Sequence, residues 1–102
     1  MRKIINGKAY DTDTATEVCE CGTAGELPRG DFRRWKGTLY KTPNGRFFMV
    51  GEGGPMTLFA RHHADGGSSG GAGLIALDAA QARHYAERAG ADVEAFFPVV
   101  EA

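Results

Sequence analysis

The sequence predicts an α+β fold: an antiparallel sheet of four or five strands, built from two hairpins plus one strand, with helices packed on one face. Three observations predict it. Two β-rich runs, "DFRRWKGTLYKT" and "RFFMVGE", flank Pro43-Asn44-Gly45, the pattern of an antiparallel hairpin around a tight turn. A second hairpin signal opens the chain, where Arg2 to Ile5 and Lys8 to Tyr10 flank Asn6-Gly7. Asn-Gly supplies the two positive-φ residues of a type I′ turn. Third, strands come in pairs and helical patterns do not alternate with them, which argues against a parallel α/β sheet.

The remaining elements follow in order. Asp11 or Asp13 is placed to cap a short helix, because a carboxylate accepts bonds from the free N–H groups of a first turn. Ala15, Val18 and Cys19 recur at helical spacing, and Gly22 is a natural stop. Residues 22–30 read as loop. After the central hairpin, "GEGGPM" breaks the strand, and Pro55 at a first-turn position predicts a short helix to Ala60. Ala64 to Gly73 has no side chain fit for a core and reads as a mobile loop. "LIAL" is short enough for an inner strand. Asp78 and Gln81 have the spacing of a capping box. Ala79, Ala82, Ala86 and Ala89 then line one face with Tyr85, an amphipathic helix ended by Gly90. Asp92 to Phe97 predicts one more helical turn before Pro98, with Phe96 and Phe97 closing the core.

A chain of 102 residues is one domain, residues 1–102, with room for one modest core. The formal net charge of −1 excludes a strongly acidic nucleic-acid mimic and a uniformly basic nucleic-acid coat. The distribution is uneven: residues 31–63 carry net +4 and residues 64–102 net −4. Such asymmetry points to a polar binding surface or to neutralisation across the fold. "MRKII" lacks the apolar run of a signal peptide and no stretch approaches a membrane span, so a cytoplasmic protein without membrane attachment is expected.

The chemistry-bearing residues are few. "GEGGPM" is neither a Walker loop, which needs Gly-Lys-Ser/Thr, nor a dinucleotide fingerprint, and Glu52 puts negative charge where pyrophosphate would sit. Its glycines read as a corner. Cys19, Cys21, His62 and His63 suit zinc in number but not in spacing. On a helix, Cys19 and Cys21 would point about 200° apart. A thioredoxin-type dithiol uses Cys-x-x-Cys at a helix start. His62 and His63, near Asp65, Ser68 and Ser69, lack a nucleophile motif, so no catalytic residues and no cofactor are expected. Arg33, Arg34, Trp35, Lys36, Tyr40 and Lys41 combine cations with rings. As a strand, this segment sets Arg34, Lys36, Thr38 and Tyr40 on one face, and Trp35 and Leu39 on the other. The first face is expected to be exposed and basic. Bases stack on aromatic rings while cations meet phosphate, and the same residue types anchor protein interfaces.

The segments "INGKAYDTDTATEV", "GDFRRWKGTLYKTPNGRFFMVGEGGPM" and "SGGAGLIALDAAQARHYAE" resemble a family of small uncharacterised bacterial proteins carried by phages, plasmids and integrative elements. The resemblance spans roughly residues 4–90, and Cys19, Cys21, His62 and His63 fall outside its pattern. It brings no activity and no catalytic residues. It implies a setting in which small proteins bind and block host machinery, including restriction or CRISPR effectors. The expected function is therefore a non-enzymatic interaction protein that binds a host protein or complex. Its binding residues would be Arg33, Arg34, Lys36 and Tyr40, with Glu52 and the loop 66–73 at the margin. Direct nucleic-acid binding by the basic hairpin 31–50 is the alternative, and a small metal protein a second one.

Overall fold

The computed structural model describes residues 1–23 and 26–102. Strands β1 (Arg2–Ile5) and β2 (Lys8–Asp11) form the first hairpin, with Asn6 and Gly7 both at positive φ, 52° and 76°. They make a two-stranded sheet of their own. The main sheet begins with β3 (Thr16–Gly22), β4 (Trp35–Lys41) and β5 (Phe47–Gly53). A small hairpin follows, β6 (Arg61–His62) and β7 (Ser68–Ser69), and then β8 (Gly71–Leu77). The four long strands run antiparallel in the order β3-β4-β5-β8. Helices α1 (Ala79–Ala89) and α2 (Val93–Phe96) end the chain. The architecture is α+β, with α1 laid on one face of a four-stranded antiparallel sheet.

Several elements differ from the sequence expectation. The helix expected after Asp11 is the edge strand β3. Asp11 does not cap a helix; its Oδ1 accepts the Asp13 N–H at 2.9 Å in a local turn. A β-bulge between Glu17 and Cys19 explains the helical look of the segment. The extra residue lets Val18, Cys19 and Cys21 all pack on the core, which breaks the period-2 pattern of a strand. Strand β4 starts at Trp35 rather than Asp31, because the Asp31 carboxylate accepts the Arg33 N–H at 2.8 Å and bends the chain there. Pro55 to Ala60 forms successive turns, not a helix: Thr57 N–H donates to Gly54 O and Ala60 N–H to Thr57 O. The segment 64–73 is not a slack loop. It turns at Gly66 (φ 90°), pairs Ser68 and Ser69 with β6, and enters β8 at Gly71. The "LIAL" strand lies at the sheet edge, not inside. There Lys3 Nζ donates to the Leu74 carbonyl at 3.4 Å.

Both faces of the sheet centre are covered. On one face Leu39, Phe47 and Met49 pack under Ala82 and Ala86 of α1, with Phe59 and Phe97 at the margins. The small alanines let the helix approach closely. Phe97 stacks on Phe47 with ring centroids 4.7 Å apart, and Lys41 Nζ donates to Phe96 O at 2.7 Å, so the last helical turn is pinned to β4 and β5. On the other face the first hairpin drops Tyr10 edge-on to Phe48, at 5.7 Å, beside Leu74. Phe48, Leu39 and Met49 are consequently sealed from water. Among the described residues, no buried side-chain N or O atom lacks a hydrogen-bond partner.

The capping box of α1 forms as its spacing predicts: Gln81 N–H donates to Asp78 Oδ1 at 2.8 Å, and Asp78 N–H to Gln81 Oε1 at 3.0 Å. Gly90, at φ 72°, closes the helix. Two outcomes test this framework in urea titrations. Leu39→Ala lowers the unfolding free energy by about 2–5 kcal/mol, because it empties a fully enclosed site. Asp78→Ala removes only the cap and costs about 1 kcal/mol.

Candidate functional site

The first hairpin covers only part of its face. At the other end of the sheet, a groove of about 820 Å³ opens between the β4–β5 pairing and the β6–β7 hairpin. Its chemistry comes from Asp31, Phe32, Arg34, Lys36, Glu52 and Arg61. The glycine cluster shapes its floor. Gly54 N–H donates to Arg34 O at 3.0 Å, and Met56 N–H to Phe32 O at 2.9 Å, so the chain leaving β5 lies against the chain entering β4. A Cβ on Gly54 would sit 2.6 Å from Phe32 O, a contact that forces the two segments apart. "GEGGPM" is thus a corner, and it holds the groove's two walls together.

This corner joins Phe32 and Met56 through their backbones, and both side chains stand in water, 62% and 66% exposed. Three cations, Arg34, Lys36 and Arg61, line the groove with Phe32, against the two carboxylates of Asp31 and Glu52, and Arg33 pairs with Asp31. Lys36 and Glu52 face each other across β4 and β5, and their 3.4 Å ion pair is exposed on both sides. Such a pair contributes little to stability and exchanges readily for another partner. Arg33 has a fixed orientation: Nε and Nη2 donate to Oδ1 and Oδ2 of Asp31 at 3.1 and 3.0 Å. This fork holds the Asp31 carboxyl below its ordinary range and the guanidinium above its own.

The residues singled out in the sequence therefore separate. Arg34, Lys36 and Glu52 meet in the groove, and Arg33 stands at its rim on Asp31. Tyr40 does not join them. It lies four residues along β4, stacked on Phe48 at 5.1 Å, half-buried in the core beneath the first hairpin. The expected basic face is open at one end only, because the hairpin that was expected to extend the sheet packs on top of it. Gly70 and Gly71, from the expected loop 66–73, line the groove. Phe32, Met56 and Arg61 were not foreseen as site residues; Phe32 stands three residues before β4, and the chain path after Gly54 brings Met56 against its backbone and Arg61 to the groove. His63 lines the groove too, and its Nε2 lies 3.0 Å from Ser69 Oγ across the β6–β7 hairpin. The Asp65-Gly66 turn, with Gly66 at positive φ, was the one local signal for that pairing.

Cys19 and Cys21 lie on β3, apart from the groove. On a strand, positions two apart share a face, so the divergence expected from a helix does not arise. The two Sγ atoms are 3.5 Å apart and half-buried against the core. Among the described residues, no three His, Cys, Asp or Glu side chains gather where they could hold a metal ion. Burial pushes both thiols up, Cys21 to about 12, with the hydrogen bond to Cys19 adding to its shift. No described helix is long and apolar enough to cross a membrane.

The Cys21 shift has a signed consequence. The folded chain holds this thiol protonated while the unfolded chain ionises near the ordinary 9.0, so stability declines as pH rises from 9 toward about 12. In reducing buffer, Cys21→Ser flattens that part of the profile of urea midpoint against pH. Comparison with protein-family models, with curated proteins and with solved structures found no match.

Proposed function

We propose that the chain is a non-catalytic binding protein whose groove engages an acidic surface of a protein partner. In the mobile-element setting that the sequence resemblance implies, the partner is a host protein, a component of a defence complex. The observation that supports this reading is the pairing of Phe32 with Met56. Two large apolar side chains are held in water by a backbone hydrogen bond, amid an excess of positive charge. Interfaces are anchored by such apolar side chains ringed by arginine, and rim charges steer the encounter. Lys36 and Glu52 would exchange their exposed pair for contacts with the partner.

On this reading the chain would act without a reactive centre. Blocking a larger complex requires complementary area and sign, which a rigid sheet end supplies. The nucleic-acid alternative uses the same cations with Phe32 as a stacking ring, and it separates by salt: polyanion binding weakens steeply as counterions are released.

The test begins with affinity purification of the tagged chain from a bacterial host and identification of the retained protein. The Arg34→Glu/Lys36→Glu double variant and the Phe32→Ala variant should each weaken that purified complex by about tenfold or more, the size of a lost anchor. Their thermal unfolding should stay close to wild type. Undiminished affinity in both overturns the proposal. A gel shift of single-stranded nucleic acid that fades steeply with salt replaces it with the alternative.

A further inference from the structure

We propose that Cys19 and Cys21 form a reversible dithiol–disulfide pair that exchanges with small-molecule disulfides, independently of the groove. The two cysteines sit on consecutive inward positions of β3, at Leu39 and Gly37 of β4, with their sulfurs already 3.5 Å apart. Strand geometry puts their Cα atoms about 6.6 Å apart. That lies near the upper end of the roughly 4.4–6.8 Å that a disulfide spans, so the bond closes with strain and reduces easily. β3 is an edge strand with a bulge beside Cys19, so the backbone has room to adjust as the ring closes.

Cys19, the attacking sulfur, is only part-buried on the edge strand, and Cys21 lines a cavity of about 410 Å³ between the end of β3 and the end of α1, with Trp35, Tyr85 and Arg88. This volume falls in the usual range of small-molecule sites. The order of events follows from the burial of the two sulfurs, which share a hydrogen bond. Either sulfur can donate in it, so whichever thiol ionises first keeps the other's S–H beside it; burial, the largest cause at both, raises Cys21 the more, which assigns the first step to Cys19. The charged groups around the pair are Glu17 near Cys19, and Glu20, Glu26 and Arg88 around the cavity.

In the exchange, Cys19 Sγ attacks one sulfur of the small disulfide, whose S–S bond breaks and expels one thiolate. Cys21 then loses its proton and attacks Cys19 Sγ in the mixed disulfide. The Cys19–Cys21 bond forms and the second thiolate leaves. The protein dithiol gives up two electrons, the small disulfide becomes two thiols, and the two cysteine protons end on them. Because burial raises both thiols, the exchange accelerates as pH rises above neutral.

The experiment equilibrates the reduced full chain in reduced and oxidised glutathione at graded ratios, quenches with acid, and reads intact mass. The expected product at oxidising ratios is a monomer lighter by two hydrogens, reversed by dithiothreitol. Since the chain has two cysteines, that product has one assignment. Trp35, the only tryptophan, shares the cavity with Cys21 and should lose fluorescence in step with the mass change. Cys21→Ser should stop at a stable glutathione adduct on Cys19. A wild-type chain that stays a dithiol at the most oxidising ratio, or that accumulates only the glutathione adduct or linked dimers, overturns the proposal.

Discussion

The pairing of β4 with β5 is the constraint on which the molecule depends. Phe47, Phe48 and Met49 are consecutive and all buried, which a strand permits only when both of its faces are covered. The helix covers Phe47 and Met49, and the first hairpin covers Phe48. Neither cover is optional: removing either would leave an aromatic or thioether side chain of the central strand in water. The C-terminal turn is tied into the same place through Lys41 and Phe97. The small sheet of β1 and β2 is therefore an integral layer of the core, although it shares no ladder with the main sheet.

That arrangement also decides where a surface is left. The first hairpin meets the sheet at the end where β4 and β5 turn, near Tyr40 and Phe48, while α1 on the opposite face reaches back to Trp35 at the other end. Toward the other end, bulky residues give way to Gly51, Gly53, Gly54, Gly70 and Gly71, and there the chain can fold back on itself at backbone distance. The groove exists because close packing at one end and glycine at the other divide the same two strands. Its charge has a matching origin: the segment rich in cations runs through this open end, and the acidic C-terminal third is mostly helix surface and tail.

Much of the frame was legible from local signals. The Asn6-Gly7 turn, the Pro43-Asn44-Gly45 hairpin, the Asp78 capping box and the Gly90 stop each rest on a few adjacent residues whose chemistry admits one geometry. The elements that escaped depend on distant contacts. The bulge in β3 scrambled its alternation into a helical spacing, and only pairing with β4 reveals the strand. Ser68 and Ser69 carry no strand propensity of their own; the partner at Arg61 and His62 makes them one. Of the candidate site, Arg33, Arg34, Lys36 and Glu52 were readable. Tyr40 was misplaced because pattern alone cannot say which length of a polar face another layer will cover. Phe32 and Met56 were invisible because their proximity is made by a corner and not by sequence spacing.

The contact between Lys3 and the Leu74 carbonyl carries a consequence for solubility. Strand β8, "GAGLIAL", borders the sheet without a charge, a proline or a bulge of its own, the kind of margin to which a neighbouring copy can add. The ammonium donated from the first hairpin occupies one of its outward acceptors and places a positive charge beside it. The same N-terminal layer that encloses Phe48 therefore also acts as a sentry against self-polymerisation. Clipping it away would uncover a ring buried in the native state and, alongside it, a ribbon ready to stack into fibrils.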